Sequence, residues 1–135
     1  MEAEEILRSS EMWLRTCDAS RKAGIPASAL YSLEMSVEMA LKAVLCSLGI
    51  EVPKAHNVTN QIREVARHDA RIPKEFRERM DKIASTFSTL VEYRAPSGYS
   101  FEYNLSDEEL ERKLDSLYDD SKEIVELCRK AVASL

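Results

Sequence analysis

The stretch Pro26-Ala27-Ser28-Ala29-Leu30-Tyr31-Ser32-Leu33-Glu34-Met35-Ser36-Val37-Glu38-Met39-Ala40-Leu41-Lys42-Ala43-Val44-Leu45-Cys46-Ser47-Leu48 decides the fold. Leu30, Leu33, Val37, Leu41, Val44 and Leu48 recur at the three- and four-residue spacing that lines up one face of an α-helix. Tyr31, Met35, Met39 and Cys46 add a second apolar row, so this helix is expected at the centre of the domain, touching several neighbours. Pro26 suits a first helical position, where its missing N–H would have no partner anyway, and Gly49 suits the left-handed position past a helix end. Glu34, Glu38 and Lys42 step along one polar row. Glu38 precedes Lys42 by one helical turn, the favourable orientation for an ion pair, which is expected at the bundle surface or a dimer seam.

The same periodicity runs outward in both directions. Upstream, Ile6, Leu7, Ser10, Trp13, Leu14 and Cys17 predict a helix over 3–22, closed by Gly24. Downstream, residues 50–57 read as a connector, and Asn57 is an expected N-cap for a short helix from Val58 to His68. Pro73 opens a further helix, with Phe76, Met80, Ile83, Phe87, Leu90 and Val91 in one stripe as far as Tyr93. Residues 94–105, with Pro96, Gly98 and Asn104, read as a loop rich in aromatics: Tyr99, Phe101 and Tyr103 follow Tyr93. Ser106-Asp107-Glu108-Glu109 is a capping box opening a last helix that carries Leu110, Leu114, Leu117, Ser121, Ile124, Cys128 and Ala131. The fold class is all-α: an up-and-down bundle of about five helices, in one domain over 1–135.

Composition agrees. The chain has 135 residues, 44% hydrophobic and 32% charged, with only three glycines and four prolines, which fits one globular core with few breaks. No apolar run approaches the roughly 18 residues of a membrane span, and the acidic start Met1-Glu2-Ala3-Glu4-Glu5 is unlike a leader peptide. A cytoplasmic protein with no membrane partner is expected. Cys17, Cys46 and Cys128 are far apart and each falls in an apolar stripe, so they read as buried thiols and not as a metal set. The net charge of −5 excludes wholesale coating of nucleic acid. Charge is uneven: bases prevail over 63–82 and acids over 107–126. Two solvated helix faces, paired across the bundle, are the plain reading; a local basic face for a phosphate-bearing ligand is the other.

Four features together resemble the HEPN family (higher eukaryotes and prokaryotes nucleotide-binding domain), in its small stand-alone prokaryotic form. The central helix reads Ser36-Val37-Glu38-Met39-Ala40-Leu41-Lys42-Ala43-Val44-Leu45, similar to the family's acid followed by an alanine-leucine-lysine core. Gly49-Ile50 and Pro53-Lys54-Ala55-His56-Asn57-Val58 look like its connector. Tyr93-Arg94-Ala95-Pro96 ends the fourth helix as in many relatives, and an acidic cap opens the last one. The resemblance implies a helical bundle that dimerises with a second copy and binds a nucleotide or RNA. It also implies a minimal nucleotidyltransferase as partner in a toxin–antitoxin pair. No cofactor is implied.

Some relatives are metal-independent RNases carrying an Arg and, a few residues on, a His. Here the matching Arg94 is followed by Ala95-Pro96-Ser97-Gly98-Tyr99-Ser100, with Tyr99 where the His belongs. Imidazole titrates near 6.5 and suits proton transfer at neutral pH, whereas a phenol near 10 does not. Arg94 keeps the capacity to hold a phosphate. The expected ligand residues are therefore Arg94, Tyr99, His56 and Tyr93, with no catalytic residue assigned and no enzyme activity expected. His56 also has a plain structural role available, orienting the entry to the next helix. The aromatic loop either plugs the bundle end, meets a partner, or stacks a base. A literal Arg-to-His match, Arg63 to His68, lies on one helix at positions pointing about 140° apart, so the pair does not share a face. Two other functions remain at this point: a metal-independent ribonuclease toxin, and a structural protein-interaction adaptor.

Overall fold

The computed structural model describes residues 2–98 and 100–135, excepting the side chains at 98, 100 and 101. Its helices are α1 (Glu2–Lys22), α2 (Pro26–Ser47), α3 (Thr59–His68), α4 (Lys74–Glu78), α5 (Met80–Glu92), α6 (Arg94–Gly98), α7 (Ser100–Tyr103) and α8 (Asp107–Ser134). No strand occurs among the described residues. The fold is the expected all-α bundle.

Helix α2 occupies its centre, touching α1, α3, α5, α6 and α8. Leu30, Leu33, Val37, Leu41, Val44 and Leu45 are all buried, and they meet Phe76, Phe87, Leu90, Leu114 and Ile124 in one core. Helices α1 and α2 approach closely where both carry serine. The Ser10 hydroxyl donates to the Ser36 carbonyl (2.6 Å) and the Ser36 hydroxyl to the Ser10 carbonyl (2.9 Å), so two buried polar side chains satisfy each other's backbones. Both helices end as their glycines require. Gly24 and Gly49 take φ of +73° and +79°, and the next amide reaches back five residues, Ile25 to Ser20 and Ile50 to Leu45.

Three local expectations shift. The helix expected from Pro73 to Tyr93 is broken at Arg79, whose N–H bonds tightly to the Phe76 carbonyl (3.1 Å) before Ile83 resumes on the Arg79 carbonyl (2.9 Å). Asn57 acts one residue further out than a cap: its side-chain oxygen accepts from the Thr59 amide (3.1 Å) and hydroxyl (2.6 Å), while buried Val58 takes the cap position. The segment 94–105, expected as a loop, is largely helical as α6 and α7. Pro96 is tolerated there because it lies in the first turn of α6, where amides have no intrahelical partner.

At α8 the serine half of the capping box forms: the Ser106 hydroxyl accepts from the Glu109 amide at 3.1 Å. Ser106→Ala should lower stability by about 1 kcal/mol, measured as a shift of the denaturation midpoint; no shift would mean α8 frays at this end without consequence. Part of the uneven charge is paired across the bundle. Lys82 contacts Asp120 (3.0 Å) and Glu123 (3.4 Å), Arg79 also pairs with Glu123, and Lys130 reaches Glu75 (4.0 Å). Cys17 and Cys128 are buried free thiols, and burial pushes Cys17 up to about 12, so neither is a nucleophile. Cys46 is only half-buried.

Candidate ligand-binding cluster

The polar row of α2 does not lie on the surface. Glu34, Glu38 and Lys42 are 0%, 1% and 7% exposed, which corrects the expectation of a surface ion pair. The reason is that α2 is surrounded, and what covers this side is the connector 50–58 and helix α6. Each contributes a basic side chain that closes over a carboxyl group.

Lys42 donates to Glu38 Oε2 at 2.8 Å, as the one-turn spacing foretold. His56, brought in by the connector, sets Nδ1 3.1 Å from Glu38 Oε1 and keeps about half of its side chain exposed. Glu38 is thus held from both sides. Glu34 is different. Arg94 Nε stands 3.6 Å from Glu34 Oε1, beyond hydrogen-bond reach. Both Glu34 carboxyl oxygens and Arg94 Nε are buried without a hydrogen-bond partner. Burial pushes the Glu34 pKa up to about 9, the neighbouring Glu38 carboxylate adds to the rise, and Arg94 and Lys42 oppose it. Burial thus favours the protonated, neutral form of Glu34.

Arg94 begins α6 and turns back onto α2. Its Nη2 donates to the Tyr31 hydroxyl at 3.0 Å and approaches Met35 Sδ at 3.7 Å, with the guanidinium 4.9 Å from the centre of the Tyr31 ring. Tyr31 is itself propped edge-on by Trp13 at 6.2 Å. About a quarter of the Arg94 side chain stays accessible, although its Nε is buried.

Of the four expected ligand residues, Arg94 and His56 enter one cluster, linked through Glu34 and Glu38. Tyr93 packs against the core under Lys113 of α8, whose ammonium is 5.3 Å from its ring. Tyr99 and the Phe101 side chain lie outside the described residues. Arg63 and His68 are each held in a surface ion pair, Arg63 with Asp81 (3.2 Å) and His68 with Glu64 (3.2 Å). A groove of about 370 Å³ does lie over Arg63, Arg67, Arg77 and Met80. However, Arg63 is held by Asp81, and Arg77 donates to the Asp69 and Ile72 carbonyls (2.9 and 3.2 Å). Its charges are largely committed to the fold.

Sequence pattern alone does not place Glu34 or Tyr31 in this cluster. Glu34 had one available signal: a carboxylate one turn before Glu38 on a helix apolar on both flanks has no solvent face to turn to.

A family model described as HEPN domain matches residues 3–131. No curated protein and no solved structure matches the chain.

Proposed function

The chain belongs to the HEPN domain family, and we infer that it binds a nucleotide or RNA phosphate at Arg94, as a non-catalytic member of that family. The observation that carries this reading is the state of Arg94. Its Nε is buried with no hydrogen-bond partner, its guanidinium is oriented by Tyr31, and burial disfavours ionisation of its nearest carboxyl group, Glu34. An arginine fixed in place, partly accessible and beside a carboxyl group that resists ionisation retains its affinity for a phosphate oxygen. Tyr99 follows Arg94 where a ribonuclease needs a histidine, which supports binding without cleavage.

In this reading the domain forms a homodimer and is the partner of a minimal nucleotidyltransferase, in the cytoplasm of a prokaryote, as one half of a toxin–antitoxin pair. No helix of the described residues is long and apolar enough to cross a membrane.

Calorimetric titration with a nucleotide and with a short single-stranded RNA tests the assignment. Arg94→Ala should weaken binding about 10- to 100-fold, the worth of a charge-assisted hydrogen bond or two. Arg77→Ala, which removes a basic residue of the other face, should change it far less. Equal losses in the two variants would refute the Arg94 site. The same RNA should emerge intact from incubation with the protein; cleavage would restore the ribonuclease reading.

A further inference from the structure

Glu34, Glu38 and His56 each bring one ligand atom to a common place, all within 4.8 Å of one another. Two sit one turn apart on α2, and the third arrives from the connector, 18 residues beyond Glu38. We propose that these three side chains form a binding site for a divalent transition-metal ion such as Zn²⁺.

The cluster has more to recommend it than acidity. Glu34 is wholly buried, and neither of its oxygens has a hydrogen-bond partner. A buried carboxyl group without a partner costs the fold stability, and such groups are ordinarily satisfied by a proton donor, a base or a metal ion. Here it faces a second carboxylate and an imidazole nitrogen, and a bound ion would take the place of the proton that burial favours on Glu34. Two carboxylate oxygens and one imidazole suit Zn²⁺ and its first-row neighbours, which accept nitrogen and oxygen together; Mg²⁺ and Ca²⁺ prefer oxygen throughout. Ligands about 2.1 Å from one ion lie roughly 3.4 Å apart, so the three must draw in modestly. His56 is the member free to do so, half-exposed on an irregular connector.

Lys42 and Arg94 are the argument against. Lys42 holds Glu38 Oε2, which leaves Oε1 for the ion, and a ligating carboxylate fixed through its other oxygen is a usual outer-shell arrangement. Arg94 stands 3.6 Å from Glu34 Oε1 and has an accessible side from which to retreat. With both cations retained, the ion brings a surplus of positive charge. Three protein ligands leave positions open for an anion such as chloride, hydroxide or a phosphate oxygen to offset it. The proposal does not depend on phosphate binding at Arg94, although Arg94 and the ion share Glu34, and it is testable with the metal alone.

The test is titration of the chelator-treated full chain with ZnCl₂ by calorimetry, and with CoCl₂ by visible absorption. One ion per chain should bind, with a cobalt spectrum of nitrogen and oxygen ligation. His56→Ala and Glu34→Gln should each weaken binding at least about 10-fold, a lost ligand costing no less than a lost outer-shell partner. Because His56 is half-exposed, His56→Ala should fold normally even if Glu34→Gln does not. His68→Ala and Cys46→Ser should bind as the parent does. No binding to the parent chain, or equal binding by His56→Ala, would overturn the proposal. So would loss in His68→Ala or Cys46→Ser, which would place the ion elsewhere.

Discussion

Lys42→Met is expected to destabilise the domain by about 3–5 kcal/mol, because it strips the cation from a carboxylate that cannot reach water. Glu38 is 1% exposed and Lys42 holds it at 2.8 Å from inside the bundle. His56 contacts the same carboxylate from the outside and remains half-exposed, so its hydrogen bond is shared with solvent. Methionine keeps the length and most of the volume of lysine, so little of the loss is a packing effect. The control is the double variant Glu38→Gln/Lys42→Met, which removes both charges and should recover most of the stability. Denaturant unfolding of the parent, the single and the double variants checks both statements. A single-variant loss below about 1 kcal/mol would place the pair in the class of exposed helical ion pairs. An unrecovered double variant would assign the loss to packing.

The ion pair also shows how much was legible in the sequence. Its existence was plain, since Glu38 and Lys42 stand one turn apart in the favourable order. Its burial was not. A helical pattern tells which residues share a face, but which faces are covered depends on connectors and short helices whose placement is a tertiary matter. The connector 50–58 carries few apolar anchors, and α6 begins with residues that read as a loop because Pro96 and Gly98 fall within it. Those two segments decide that Glu34 is buried and that Arg94 and His56 meet the same helix. The core was legible for the opposite reason. Leu30, Leu33, Val37, Leu41 and Val44 have no stable place except inward, and Phe76, Ile83, Phe87 and Leu90 keep their phase even across the break at Arg79. The candidate cluster is half legible: family likeness points to Arg94 and His56, whereas the carboxyl group between them stands in the sequence only as one member of a polar row.

That carboxyl group yields the second large effect. Stability of the chelator-treated domain is expected to fall as pH rises from about 5 to about 9, and Glu34→Gln is expected to remove most of the fall. In the unfolded chain Glu34 titrates near the ordinary carboxylate value of 4.5; in the folded protein burial and the neighbouring Glu38 raise it to about 9. Between those limits the folded state holds a proton that the unfolded state has released. Unfolding then releases a proton, so raising the pH favours the unfolded state. The favourable balance is complete below about 4.5 and is used up as pH passes 9. Each pH unit inside the window weakens the fold by up to about 1.4 kcal/mol. The whole loss is therefore a large part of the roughly 5–15 kcal/mol that holds a domain together. Glutamine mimics the protonated acid in shape but does not titrate. Parent and variant should unfold at similar denaturant concentrations near pH 5 and diverge toward pH 9, with the variant the more stable. Parallel profiles would show that Glu34 is already ionised in the folded protein, with Arg94 as its counter-ion. Arg94 would then be neutralised by Glu34 and a poorer phosphate ligand, so this one measurement also bears on the binding reading.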